Sequence, residues 1–188
     1  DADGEVSYDI HYGNNLISYP FDNDQWLEAG LGNAIADVYA LAGEGVAALK
    51  IGNSFVGSLE AFEGGKGYWL VATADFDFTY NGTADGLIHQ VPLREVPEIY
   101  SYTQSDQQAF YIVKSVSSLN AEGDFIDEDD IIIAYNGDVI VGARYWDGEY
   151  TDVPAMGVDS EGGEMFAGYC EIGDEISFKI LNASTDEL

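Results

Sequence analysis

The side chains best able to do chemistry lie between Asp124 and Asp152. Asp124, Asp127, Glu128, Asp129 and Asp130 crowd one loop. So many carboxylates are costly to hold together without a counter-ion, and hard oxygen ligands suit calcium, so this loop is the candidate metal site. The competing reading is a solvated acidic loop. Asp159, Glu161 and Glu164 form a second, smaller acidic cluster. Further on, Arg144, Tyr145, Trp146, Asp147, Tyr150 and Asp152 mix flat aromatics with charges. That combination can stack on sugar rings or anchor a protein interface. Tyr68 and Trp69 are a second aromatic candidate. Core packing competes with the binding reading for each aromatic.

Catalytic chemistry finds little support. His11 and His89 are the only histidines, and neither has the setting of an activated serine or cysteine. Cys170 lies beside Tyr169 in an apolar stretch, the setting of an inert buried thiol. Two distant His and one Cys do not make a zinc site. Gly64-Gly65-Lys66-Gly67 lacks the spacing and the hydroxyl residue of a phosphate loop, and reads as a turn. Two carboxylates suffice for glycoside hydrolysis. With 35 acidic residues, however, some pair always falls at a suitable spacing, so a glycosidase is only a third reading. The expectation is a protein that is not an enzyme.

The aromatic and charged cluster needs a rigid support, and the residues before it supply one. Ile131, Ile132 and Ile133 open a β-branched run, Asn136-Gly137 turns, and Val139, Ile140 and Val141 return. Asn-Gly tolerates positive φ at both centres of a type I′ turn, so a hairpin is expected. Elsewhere short alternating runs recur: Val6 to Ile10, Leu16 to Tyr19, Val38 to Ala42, Val46 to Ile51, Phe55 to Leu59, Phe76 to Tyr80, Ala109 to Val116, Met165 to Cys170 and Ile176 to Leu181. Leu27, Leu31 and Ile35 share a helical stripe, which predicts a short helix over 22–35 capped by Asp22, Asn23 or Asp24. Turn signals roughly every 8–12 residues argue for sandwich or small-barrel modules. The expected fold is mainly β: two small β-sandwich-like modules, residues 1–96 with the one short helix and residues 97–188. Pro92 and Pro97 mark the division, because proline removes a ladder donor.

The net charge of −29 excludes nucleic-acid binding, which requires clustered Lys and Arg. It also argues against attraction to an anionic membrane. Such charge suits a salty medium, where repulsion is screened, and a marine or halophilic source is expected. No apolar run approaches the about 20 residues that cross a bilayer, so no membrane insertion is expected. The chain begins with Asp1, and the expectation is a processed or excised piece of a longer product. Asp1-Ala2-Asp3-Gly4 has the look of a calcium-loop tail or a plain turn.

One resemblance covers nearly the whole chain. It rests on Asn15-Leu16-Ile17-Ser18-Tyr19-Pro20, Phe55-Val56-Gly57-Ser58-Leu59 and Gly65-Lys66-Gly67-Tyr68-Trp69-Leu70 in the first half. In the second half it rests on Ala134-Tyr135-Asn136-Gly137-Asp138, Val141-Gly142-Ala143-Arg144 and Asp152-Val153-Pro154-Ala155-Met156-Gly157. In this order they resemble paired β-modules of large secreted marine bacterial proteins and of virion structural proteins of marine tailed phages. The resemblance implies an extracellular, cell-surface or virion location and transfers no active site. The leading expectation is therefore a non-catalytic structural module (a decoration, fibre or adhesion component). It would attach to a protein assembly such as a capsid, tail, fibre or surface layer. The alternative is a carbohydrate-binding module that takes a glycan. No cofactor is required on either reading, with calcium the one candidate ion.

Overall fold

The computed structural model describes residues 6–81, 90–117, 125–159 and 162–188. It divides into two compact units, Asp1–Pro92 and Leu93–Leu188. Both are built from antiparallel strands, and the protein is mainly β with one short helix.

The first unit runs β1 Ser7–Ile10, β2 Gly13–Ser18, β3 Gln25–Trp26, α1 Leu27–Leu31, a 3-10 turn Gly32–Asp37, β4 Val38–Ala42, β5 Ala47–Ile51, β6 Ser54–Val56, β7 Ala61–Phe62, β8 Gly67–Ala72 and β9 Phe76–Thr79. Its main sheet has the order β2-β8-β4-β5-β6, and β1-β9 and β3-β7 are two-stranded pairs. Alternation decides which side of the main sheet is covered. Ile17, Tyr68, Leu70, Leu41 and Ala48 point inward and join Tyr19, Phe62, Phe78 and Tyr80 in one core. The rings of Tyr19 and Phe62 stack at 5.5 Å, and Tyr80 meets Phe78 edge-on at 4.7 Å. Each such fully buried aromatic contributes on the order of 2–3 kcal/mol by removing apolar area from water.

The helix is shorter than the stripe predicts. Gln25 and Trp26 pair with Phe62 and Ala61 as a strand, so the helix begins only at Leu27. None of the expected caps is used: no side chain caps the helix, and Asp24 Oδ1 instead accepts the Gly64 N–H at 3.1 Å. Beyond Leu31 the chain tightens into the 3-10 turn, whose last carbonyls, on Ile35 and Ala36, accept from the Lys50 ammonium. A cation there meets the negative end of the local dipoles.

The second unit runs through a 3-10 turn Glu98–Tyr100, then β10 Gln108–Val113, β11 Ile131–Asn136, β12 Val139–Tyr145, β13 Thr151–Met156, a 3-10 turn Gly163–Phe166 and β14 Ile176–Leu181. Two layers, β12-β11-β14 and β10-β13, enclose a core of Ile132, Ala134 and Val141 against Val153, Ala155 and Met156. The outer face of the three-stranded layer carries Ile131, Ile133, Ala143 and Leu181, covered by Val96 and Tyr100. No strand occurs between Gln90 and Gln107, and Pro97 precedes the first 3-10 turn. The strand expected over Met165 to Cys170 is instead that second 3-10 turn followed by a single bridge from Gly157 to Cys170. Phe166, at the end of this turn, and Tyr169, just after it, both enter the core, whereas a strand would send residues three apart to opposite faces.

Candidate functional site

The hairpin forms, with its turn shifted by one residue. A bulge between Ala134 and Tyr135 moves the register so that Asn136 pairs with Val139. The loop is therefore Gly137-Asp138, and of the two only Gly137 has positive φ, 58°. Positive φ at the first centre alone belongs to type II′ rather than I′. Asn136 is withheld from the loop by its amide, which donates to Gly168 O, Tyr169 O and Asp174 Oδ2 at 2.9–3.3 Å.

The aromatic and charged residues that follow do not form one surface. Arg144 and Asp152 are buried, at 7% and 1% exposure. The Arg144 guanidinium donates to Asp152 Oδ2 at 3.2 Å and to the Asp152 carbonyl at 2.9 Å. They lie between the layers because Arg144 pairs with Ile132, which points into that core. Tyr102 lies beside them, and burial raises its phenol pKa, opposed by the Arg144 charge. Trp146 packs against the same core. Tyr145 is half-buried on the other face, under the Arg94 guanidinium at 3.7 Å, and Arg94 also bonds Asp129 at 2.9 Å. Asp147 and Tyr150 belong to the turn into β13, where Tyr150 takes φ 72° and Thr151 Oγ1 bridges Gly148 O and the Asp147 N–H. The binding cluster expected from sequence is thus a structural ion pair inside and a surface cation–π contact outside, joined by a tight turn.

In the acidic loop the carboxylates of Asp127 and Asp130 accept backbone N–H groups. Asp130 is buried at 1% exposure. Its two oxygens accept the N–H groups of Asp127 and Ala183, each at 2.9 Å. Asp127 Oδ1 accepts the Asp129 N–H at 3.0 Å. Arg94 takes Asp129 Oδ1 and the Glu128 carbonyl. Asp124 lies outside the described residues, as do Asp1 to Gly4, His89 and Glu161. Among the described residues no three His, Cys, Asp or Glu side chains converge on a point where an ion would sit. Cys170 is partly buried, and burial, with Asp174 nearby, raises its thiol pKa, so it is poorly nucleophilic.

Tyr68 and Trp69 part company because neighbours in a strand face opposite ways. Tyr68 is in the first core, 2% exposed, with its phenol pushed up to about 12, first by burial. Its hydroxyl oxygen accepts the Glu63 N–H at 2.7 Å. Trp69 is 46% exposed on the outer face of the five-stranded sheet. The register places Leu16 and Ala42 on either side of it. Beyond the exposed Asn14 on β2, the next row on that face is Val71, Ala40, Leu49 and Val56. None of these seven residues belongs to a core cluster. An antiparallel sheet with one solvated face normally alternates apolar inward with polar outward. Here, Asn14 and Ser18 of β2 aside, the outward positions around Trp69 are apolar too. The signal was present in the runs Val38-Tyr39-Ala40-Leu41-Ala42 and Ala47-Ala48-Leu49, which are apolar at consecutive positions. What the sequence lacked was the register that joins them to Leu16 and Trp69. Searches against protein-family models, curated proteins and solved structures return no match to this chain.

Proposed function

We propose that this chain is a non-catalytic structural module of a virion or extracellular surface, attached to a protein assembly through the outer face of the five-stranded sheet. The observation that carries this reading is the continuous apolar face around Trp69, flanked by Leu16 and Ala42, which lies outside the core. A contiguous apolar patch held on a rigid sheet is the signature of an interaction surface. A central aromatic is the usual energetic anchor of one. The net charge of −29 keeps such a face from nonspecific association by repulsion between copies. The resemblance to secreted and virion β-modules points the same way. A photo-crosslinking residue at position 16, in the chain within its native particle or secreted product, tests it. Capture of a protein neighbour, lost in Trp69→Glu, supports attachment. An uncrosslinked chain in an intact particle sinks it.

Carbohydrate binding, the alternative, has its own observation. Trp26, 44% exposed, lines a pocket of about 210 Å³ together with Glu28 and Glu60. A flat indole beside two carboxylates is the composition of a sugar site. Saturable binding on a glycan array, abolished by Trp26→Ala and kept by Trp69→Glu, would establish this second reading.

A further inference from the structure

Among the described residues the second unit's sandwich is open along one side. The Gly157 N–H donates to the Gln107 carbonyl at 2.6 Å, and the register then pairs Ala109 with Ala155 and Phe110 with Pro154. Hydrogen-bonded and non-bonded pairs alternate along an antiparallel ladder. The backbone groups of Ala109 and Tyr111 therefore face β13, and those of Phe110 and Ile112 face away from it. Pro154, which has no N–H, stands opposite Phe110 as this requires. Among the described residues β13 is the only strand beside β10, and β11 the only strand beside β14. The two edges belong to different layers yet lie on the same side, because the rings of Tyr111 and Phe178 meet at 5.1 Å. Both rings are 39% exposed, and among the described residues no further strand covers the end of the core. A groove of about 830 Å³ results, with Ala109, Tyr111, Ala155 and Ile176 among its walls. Asp106, Asp159, Glu171 and Asp174 also line it, and no Lys or Arg does.

We propose that this open side takes up an extended, Lys- or Arg-rich segment of a partner protein as an added strand beside β10. Exposed edges are templates for such pairing: main-chain bonds give affinity and alternate side chains give specificity. An added strand would send every second side chain towards Tyr111 and Ala109 and turn the others to the acidic rim. Charge selects the occupant. A second copy of a chain at −29 is repelled, whereas a basic segment is attracted. The proposal stands apart from the sheet face of the first unit.

The test is a display library of strand-length segments panned on the whole immobilised chain. Expected are winners that alternate apolar residues with Lys or Arg, and slowed amide exchange at Phe110 and Ile112 when a synthesised winner is bound. The double variant Asp106→Lys, Glu171→Lys should weaken that winner at least about tenfold and turn selection towards acidic segments, a switch that misfolding does not produce. No enrichment, enrichment blind to charge, or unchanged binding in the double variant overturns the proposal. Protection confined to Leu16 and Trp69 also overturns it, and leaves the first unit's face as the attachment site. Sedimentation of the chain alone as a dimer with Phe110 protected would replace the partner segment by a second copy.

Discussion

Breaking the Arg144–Asp152 pair should cost far more than deleting it. The side chains are 9% and 2% exposed, so solvent screens the pair little. Arg144→Met leaves a carboxylate buried between the layers, and Asp152→Leu leaves a guanidinium there. Removing one partner of a buried pair costs about 3–5 kcal/mol, because the survivor is an uncompensated charge. Replacing both with apolar residues of similar volume is often neutral or better. Against that, the bond from Arg144 Nε to the Asp152 carbonyl is lost, worth about 1 kcal/mol. The double variant should therefore lie within about 2 kcal/mol of the parent, and the coupling between the two changes should exceed about 3 kcal/mol. Urea unfolding followed by Trp146 fluorescence measures this in the second unit. Trp26→Phe and Trp69→Phe in the background remove the signal of the first unit. Single variants costing under about 1 kcal/mol would show the pair to be solvated, and strictly additive costs would show it uncoupled.

Gly142 and Gly137 should respond differently to alanine. A Cβ on Gly142 would lie 1.7 Å from the Pro154 carbonyl oxygen, whereas one on Gly137 meets nothing within 4 Å. Gly142→Ala is expected to cost at least about 3 kcal/mol by forcing β12 from β13. Gly137→Ala should cost only about 1–2 kcal/mol, for positive φ. Denaturant midpoints measure both. Alkaline unfolding is a third expectation. Burial raises the pKa of Tyr68 to about 12; it also shifts Tyr19, Tyr80 and Tyr102 upward. A phenol raised in the folded state stays neutral while its unfolded counterpart ionises, so stability is full below about pH 10 and falls as pH rises towards 12. Phenolate absorbance should lag behind that of free tyrosine and appear with unfolding, and a non-cooperative titration of every tyrosine near its ordinary value would contradict this. Finally, salt should raise the melting midpoint by screening the net charge. Sodium and calcium at matched ionic strength should act alike at the acidic loop, where the carboxylates of Asp127 and Asp130 already hold backbone N–H groups. An extra calcium increment lost in Asp127→Asn would restore the loop as an ion site. Asp130→Ala, which strands two N–H groups, should cost about 2–4 kcal/mol in the same melts.

Local pattern was enough to read the class of this protein. Period-two runs, turn dipeptides and the triple isoleucine specify strands and a hairpin through side-chain alternation and backbone φ preference, both of which act over a few residues. Charge argued against a nucleic-acid partner because electrostatics sums over composition and needs no fold. Long-range pairing decided the rest. Arg144 looked like a binding residue because its neighbours are aromatic. Its burial follows from its pairing with Ile132 and from the placement of Asp152 across the layer interface. The carboxylates of the acidic loop are close in sequence, whereas only the fold brings one oxygen of Asp130 to the N–H of Ala183, 53 positions away. Leu16, Ala42 and Trp69 become one surface only when β8 inserts between β2 and β4. Alternation told which residues share a face within each strand. Which strands lie side by side depends on contacts between distant segments, and these form only when the whole core closes.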